Sequence, residues 1–437
     1  MKAFTQRSLF HLFAASALSF AVAAPLAGCG SSAADGPPPP EETKVVEIFS
    51  WWTAGGEKDA LDALLTYHAK SFPGDKIINA AEQGSDNAQQ LLEDRIAQKV
   101  YPDTFQLNAG FGLREWAART ADDGTKLLAP LDSIPEAAAW KTAFPQAVLD
   151  LVSVDGQLYA VPVNVHRNNA LFYNKKIFAD NNIAPPETFD DLIQAAETLA
   201  ASPNHVIPLA VGSVQAWTVT MLAFESVVVG KVGGDYFMDY FRGKKTADDP
   251  MIRAGLEDVV KLLKYADPSG RTLRWDEAVD QVAKGTAAMT IMGDWAKGYF
   301  ESQKLVPDVD FGELPTPGSQ ASFVYNPDCF PLMAGAHNPA GAVDLLSTFA
   351  SSGGQDVFNP IKGSIPARKD ANPALYDVLS QRAIADFQSK KLVPALSGLI
   401  PPEVGSQLDT AFGKMLDSQD PNDVMSVLIA NYGKFKP

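Results

Sequence analysis

Short apolar segments alternate with amphipathic helical segments along most of the 437-residue chain. Residues 45–50 predict a strand, and the apolar positions between residues 61 and 68 then recur every three or four residues, on one face of a helix. Later in the chain, a helix predicted over residues 275–284 precedes a nearly unbroken apolar run over residues 287–292, which suits a strand covered on both faces. This alternation predicts an α/β fold with mostly parallel strands.

The first 28 residues differ from everything that follows. A basic start precedes an apolar run over residues 9–26, and the motif Leu-Ala-Gly-Cys ends at Cys29. Such a segment predicts a secretory signal peptide, and its end resembles the bacterial lipobox, in which the cysteine is lipidated. We therefore expect a lipoprotein signal peptide over residues 1–28, a lipidated Cys29 within a Pro-rich tether over residues 29–43, and a location in the periplasm or at the cell surface. The alternative is an ordinary signal peptide with an incidental cysteine.

Composition excludes several classes of protein. With 52 acidic and 36 basic residues the formal net charge is −16, which argues against a nucleic-acid-binding protein. Cys329 is the only cysteine besides Cys29, so no intrachain disulfide is expected in the mature protein. The five histidines form no zinc-binding motif, and the sequence carries no P-loop, no nucleophile elbow and no dinucleotide-binding motif. We therefore expect neither a metal nor a cofactor.

Polar and aromatic residues follow the predicted strands directly. Open α/β sheets bind ligands at the carboxyl ends of their strands, and an indole ring offers the flat apolar face that a sugar ring requires. The residues at these ends are Trp51 and Trp52, Gln106 and Asn108, and Asp294 and Trp295. The competing interpretation is that the tryptophans are core residues. Because adjacent residues of an extended chain point in opposite directions, at least one of the first pair is expected to face a cleft.

Seven segments carry a resemblance to a known family. They are residues 51–57, 102–106, 159–167, 185–192, 292–295, 325–328 and 362–366. In this order and spacing they resemble the bacterial extracellular solute-binding proteins (family 1) of sugar ABC transporters, most of all the glucose-binding members.

The resemblance implies a two-lobed periplasmic-binding-protein fold of type II. Each lobe would be a mixed sheet flanked by helices, with the ligand cleft between the lobes. Lobe one would comprise residues 44–167 plus 290–350, and lobe two residues 168–289 plus 351–437.

It also implies a set of residues at or near the sugar: Trp51, Trp52, Glu57, Gln106, His166, Trp217, Asp294, Trp295, Asn326, Asp328 and Lys362. Asn108, which the strand-end argument adds, stands where a lysine is usual in the glucose-binding members. Ser397 and Gly398 occupy a region where those members tend to have a histidine. Both departures remove polar contacts to a hexose, so the resemblance does not specify the sugar.

The expected function is that of a monomeric, non-enzymatic receptor. It would capture a glucose-like monosaccharide or a small oligosaccharide by hinge closure and deliver it to the permease subunits of an ABC-type importer. Two alternatives stay open at this point. One is a surface-anchored glycoside hydrolase that uses two carboxylates, and the other is a receptor for a non-sugar solute such as a polyamine or an amino acid.

Overall fold

The computed structural model describes residues 44–53, 55–80, 85–214 and 216–435. The predicted signal peptide over residues 1–28 and the tether over residues 29–43, including Cys29, lie outside the described residues. Within the described ranges, no helix combines the length and the apolar character that a membrane span requires.

Sixteen strands occur in the described part of the chain. Most are short, and the longest have six residues. In chain order they are β1 (Lys44–Phe49), β2 (Asp75–Asn79), β3 (Thr104–Phe105), β4 (Leu107–Asn108), β5 (Leu128–Ala129), β6 (Ser153–Val154), β7 (Gln157–Leu158), β8 (Ala160–Pro162), β9 (His166–Arg167), β10 (Ala170–Asn174), β11 (Ile207–Leu209), β12 (Ala287–Met292), β13 (Phe311–Pro315), β14 (Ser322–Asn326), β15 (Asp328–Met333) and β16 (Lys391–Pro394).

The strands form mixed sheets rather than mostly parallel ones. The first sheet has the order β2-β1-β3-β15-β4, and β5 and β8 also pair with β15; the second has the order β11-β12-β10-β13, and the third β16-β14-β9. β1 is parallel to β2 and β3, but β15 is antiparallel to all four of its partners, and β10 is antiparallel to both of its own. The expectation of mostly parallel strands, drawn from the alternation of segments, is therefore wrong, because the composition of a strand does not encode its direction. The mixed sheets that the family resemblance implies are confirmed.

Helices cover both cores and supply several residues of the site described below. A π-helical segment, Val219–Phe224, runs directly into the eighth helix. The α-helices are α1 (Gly55–Ser71), α2 (Ser85–Ala97), α3 (Phe111–Ala118), α4 (Ala137–Ala143), α5 (Gln146–Val152), α6 (Lys175–Asp180), α7 (Phe189–Ala200), α8 (Glu225–Val232), α9 (Gly234–Phe241), α10 (Pro250–Leu263), α11 (Trp275–Ala283), α12 (Trp295–Ser302), α13 (Pro339–Ala350), α14 (Ser352–Lys362), α15 (Val378–Ser389), α16 (Leu396–Leu399), α17 (Pro402–Ser418) and α18 (Asn422–Asn431).

Capping residues explain where two of the helices begin. α7 begins with a reciprocal capping box, in which Thr188 accepts from the backbone N–H of Asp191 and the Asp191 carboxylate accepts from that of Thr188. Residues 373–387 do not form one continuous helix. A short 3₁₀ segment, Pro373–Leu375, ends before Asp377, whose carboxylate accepts two backbone N–H groups and starts α15.

Two separate hydrophobic cores organise the chain. The first core is built mainly from residues 46–165 and 323–387, and the second mainly from residues 170–311 and 393–435. The cores divide the chain differently from the predicted lobe boundaries. β12 and the segment after it pack in the second core because β12 pairs with β10 and β11, whereas α14 contributes Phe358 to the first core.

The third sheet lies where the chain passes from one core to the other. Side chains alternate along its central strand, β14: Phe323 and Tyr325 belong to the first core and Val324 to the second. The neighbouring strand β9 carries His166, whose partner in the register is Asn326. The sheet between the cores therefore places His166 at the boundary between them.

Candidate functional site

A cavity of about 620 Å³, here called the central cavity, is lined by residues that directly follow β1, β3 and β12 and by the first residue of β15. Eleven of the twelve predicted site residues line it, and only Asp294 does not. The eleven are Trp51, Trp52, Glu57, Gln106, Asn108, His166, Trp217, Trp295, Asn326, Asp328 and Lys362. That these residues bind a ligand stays a prediction.

His166 is held between two buried carboxylates. Its Nδ1 contacts Oδ1 of Asp294, and its Nε2 lies 2.9 Å from Oδ2 of Asp328. Asn164 completes the arrangement from both sides, since its Nδ2 donates to Oδ2 of Asp328 at 2.9 Å and its Oδ1 accepts from the Asp328 backbone N–H at 2.9 Å. The imidazole ring is therefore fixed in one orientation.

These contacts determine the charge of the group. Burial and the ammonium group of Lys362 lower the pKa of His166, but the two carboxylates outweigh them, so its pKa is raised above the ordinary 6.5. Burial alone would raise the pKa of Asp328, yet the hydrogen bond and positive charge of His166, together with Lys362, leave it below its ordinary value of 3.8. The two carboxylates thus favour the charged form of His166, and His166 favours the ionised form of Asp328.

Lys362 adds a second buried cation. Its side chain is 2% exposed, and its Nζ lies 2.9 Å from Oε1 of Glu57 and 3.4 Å from Nε2 of His166. The ammonium also lies 5.7 Å from the ring centre of Trp52 and 5.8 Å from that of Trp295, within the range of a cation–π interaction.

Glycines allow two helices to approach closely around this lysine. Gly363, with φ of 90°, ends α14 directly after Lys362, and a Cβ there would lie 2.5 Å from the backbone oxygen of Asp294. A Cβ on Gly298 of α12 would lie 2.7 Å from the oxygens of Ile361 and Lys362. Because these positions lack side chains, α12 and α14 bring Trp295 and Lys362 to the same point.

A hydrogen-bonded relay connects the end of β1 with Asp328. The Ser50 hydroxyl donates to Oε1 of Gln106 at 2.7 Å, and Nε2 of Gln106 donates to Oδ1 of Asp328 at 3.1 Å. Gln106 is the single residue between β3 and β4, and its side chain lines the cavity. Beside it, Nδ2 of Asn326 donates to Oδ1 of Asn108 at 3.1 Å.

The first pair of tryptophans divides as the extended chain predicts. Trp51 is half-buried, whereas Trp52 is 1% exposed and packs against Phe330 and Phe358, with ring centres 5.7 and 4.8 Å away. Trp52 lines the cavity but is mainly a core residue, and the core interpretation applies to it.

The opposite side of the cavity carries another aromatic group. The ring of Trp295 meets His166 edge-on at 5.0 Å and lies 6.0 Å from that of Trp217. Trp217 directly precedes the π-helical turn, a geometry that is frequent at functional sites. Its indole Nε1 is buried and finds no hydrogen-bond partner among the described residues.

Asp294 differs from the other predicted residues because it does not line the cavity, and both of its carboxylate oxygens are engaged. Oδ1 contacts His166, and Oδ2 accepts from the backbone N–H of Arg167 at 2.9 Å. Asp294 therefore orients His166 and does not itself line the cavity.

Sequence reasoning missed a group of residues on both sides of the cavity. Trp116 of α3 and Arg119, the residue after α3, lie on one side, with the guanidinium carbon 3.9 Å from the indole ring centre, and Arg274 and Trp275 lie on the other. None of the four directly follows a strand, because each lies within a helix or next to a helix end. No local pattern in the sequence separates these residues from others on helices.

No group of three or more histidine, cysteine, aspartate or glutamate side chains suited to a metal ion occurs in the described part of the chain. The free thiol of Cys329 is buried, and burial raises its pKa well above the ordinary value.

Comparison with known proteins gives a consistent result. Residues 54–356 match the family model described as bacterial extracellular solute-binding protein. The chain is 35% identical to an uncharacterised ABC transporter extracellular-binding protein of Pyrococcus horikoshii, over 97% of this chain and 96% of the relative. It is 30% identical to a probable sugar-binding periplasmic protein of Mesorhizobium japonicum, over 86% and 90%.

Solved structures share the fold at lower identity. A chitin oligosaccharide binding protein superposes with a TM-score of 0.77 at 21% identity, over 90% of this chain and 99% of its own. The bacterial solute receptor AcbH, described as having a preference for β-D-galactopyranose, gives the same TM-score at 17% identity, over 90% and 98%. On the family match and the full-length relative, the chain belongs to the bacterial extracellular solute-binding proteins.

Proposed function

We propose that the protein is the non-enzymatic sugar receptor of an ABC-type importer. The observation that carries the proposal is one cavity in which amide, carboxylate, imidazole and ammonium groups face an aromatic side. Each hydroxyl of a sugar needs a donor and an acceptor, and the ring needs an apolar surface. The names of the relatives from Pyrococcus and Mesorhizobium point the same way.

The two cores supply a basis for capture by closure. Each contributes one side of the cavity, and the third sheet joins them. A ligand that contacts both sides favours the closed state by its differential affinity for that state. We propose that the closed form delivers sugar to the permease subunits and that the receptor acts as a monomer.

A glycoside hydrolase is the main alternative, and the charges at the site disfavour it. Such an enzyme pairs a protonated carboxylic acid with a second carboxylate across the glycosidic bond. Asp328 is held ionised by His166, and Asp294 has both oxygens engaged. A receptor for an amino acid is disfavoured by the number of tryptophans around the cavity.

The test is a thermal-shift screen of the purified protein against mono- and disaccharides, followed by calorimetry on the sugars that stabilise it. We expect stoichiometric binding and quantitative recovery of the unchanged sugar. Turnover of an aryl glycoside would support the hydrolase, and stabilisation by a polyamine but by no sugar would support the non-sugar receptor.

We propose further that Cys29 anchors the mature protein to a membrane outside the cytoplasm. The lipobox-like end of the predicted signal peptide supports this, as do relatives named as periplasmic or extracellular. Cys29→Ser should release the protein into the soluble fraction of cells. Unchanged membrane association, without a lipid mass on the N-terminal peptide, would contradict the anchor.

A further inference from the structure

A second cavity of about 490 Å³, here called the outer cavity, adjoins the central one. It is lined by Gln89, Gln90, Glu93, Ala216, Trp217, Ser406 and Asp409. All of these except Gln90 and Ala216 also line the central cavity. The two spaces are therefore continuous and share one boundary.

The boundary lies between the two cores. One side of the outer cavity is α2, which packs on the first core through Leu92, and the other side is α17, which packs on the second core through Leu408. Trp217 lines both cavities and is half-buried, so part of its ring faces the shared space. A ligand that extended through both cavities would contact both cores along its whole length.

The chemistry of the outer cavity matches an uncharged, hydroxylated ligand. Two amides, a hydroxyl and carboxylates face it, and none of the described residues that line it is a lysine, arginine or histidine. The carboxylate of Glu93 is already paired with Arg119, 2.8 Å away. An anionic ligand would meet no cation there, whereas sugar hydroxyls can both donate to the carboxylates and pair with the amides.

We propose that the ligand is an oligosaccharide with one sugar unit in the central cavity and at least one more beyond Trp217, in the outer cavity. This inference rests on the proposed function and names the substrate class of the same site. A monosaccharide would fill only part of the combined space and would leave the amides of α2 without a ligand, although Nε2 of Gln90 already donates to Oδ1 of Asp94 at 2.9 Å. Additional units would bury the remaining face of Trp217 and satisfy those amides.

The test is calorimetry of the purified protein with matched series of increasing length: glucose, maltose and maltotriose; xylose, xylobiose and xylotriose; and N-acetylglucosamine with its dimer and trimer. Within the series that binds, we expect the dimer or trimer to bind at least about tenfold more tightly than the monomer, because the second ring adds an aromatic contact and hydrogen bonds.

A matched pair of variants locates the additional contact. Gln90 lines only the outer cavity and is exposed, and Gln98, one residue past the end of α2, is exposed and lines neither cavity. Gln90→Leu removes the amide at constant size and should weaken trimer binding about three- to tenfold while leaving monomer binding unchanged. Gln98→Leu should change neither.

The failures of the two proposals are distinguishable. If a monosaccharide binds as tightly as its dimer and trimer, or if Gln90→Leu affects the monomer and the trimer equally, the oligosaccharide assignment is wrong and the sugar receptor stands. If no sugar of any length binds while the protein remains folded, both are wrong.

Discussion

The side of the central cavity that belongs to the first core is polar and internally bonded, whereas the side that belongs to the second core is mainly aromatic. On the first side Ser50, Gln106 and Asp328 form one continuous set of hydrogen bonds. On the second side Trp217 and Trp295 pack against each other, and the indole N–H of Trp217 is not yet paired with any described residue.

This difference between the two sides suggests that one side orients a sugar and the other contributes most of the affinity for it. Polar groups that already hold one another need little reorganisation when a ligand arrives, so under the proposed function we expect the first side to determine which hydroxyl pattern fits. Aromatic rings contribute only when they reach a sugar, so we expect the second side to add affinity upon closure. Changes on the two sides should therefore have different signatures, which the following experiments separate.

The largest effect is expected from Asp328→Asn. The exchange removes one of the two carboxylates that contact His166 and leaves an amide N–H₂ facing other donors, so the free energy of unfolding should fall by about 3–5 kcal/mol. Sugar affinity should fall more than about a hundredfold, since the variant keeps only one of the two acceptor oxygens that His166 and Gln106 contact. Denaturant unfolding and calorimetry measure the two quantities. Asp62→Asn, at an exposed pair with Lys58, is the control and should leave both near wild type.

Trp52→Ala should act mainly on stability. Its ring is enclosed by Phe330 and Phe358, so truncation leaves a cavity in the first core and should cost about 3–5 kcal/mol of unfolding free energy. Urea titration followed by circular dichroism measures this loss. A variant as stable as wild type would show that Trp52 is not a core residue.

Trp295→Ala should show the opposite signature. The half-buried ring faces the cavity, and a desolvated aromatic contact is worth roughly 1–3 kcal/mol, so affinity should fall about 5- to 150-fold while the fold persists. Calorimetry and intrinsic fluorescence provide the measurements. Wild-type affinity in folded Trp295→Ala and Trp51→Ala proteins alike would mean that the sugar stacks on neither ring.

The smallest expected effect is a pH dependence of the unfolding free energy, which arises from His166 on the polar side of the cavity. The pKa of His166 is raised on folding, so the stability that its charged form contributes is fully present below about pH 6.5 and is lost as pH rises through the folded-state value. Unfolding free energies between pH 6 and pH 9 should decline more steeply for wild type than for His166→Gln. Parallel curves would show that the imidazolium does not stabilise the fold.

The site residues that follow strands were predictable from the sequence, whereas those on helices were not. Trp51, Gln106 and Trp295 each follow a strand and line the cavity, and the resemblance added His166, Asn326 and Lys362. Trp116 and Trp275 were not found because a tryptophan in a helix has no local pattern that separates a cavity-facing ring from a buried one. The role of Asp294 depends on contacts 128 residues away in sequence.

The alternation of segments predicted the fold class, but it predicted neither the direction of the strands nor which core each segment joins. Alternating segments identify strands and helices, yet β10 and β15 run antiparallel to their neighbours because of how the chain returns to the sheet. The apolar run of β12 indicates a buried strand but not which core buries it. Pairing with β10 decides that it belongs to the second core, and pairing is a long-range property.

The position of β15 in the first sheet also sets an order of assembly. It lies between β3 and β4 but follows them by more than 200 residues, so during synthesis the amino-terminal strands are made long before the strand that joins them. Contacts this distant in sequence form slowly, because a long loop must close first. The first core therefore cannot be completed during synthesis until β15, and with it most of the chain, has emerged from the ribosome.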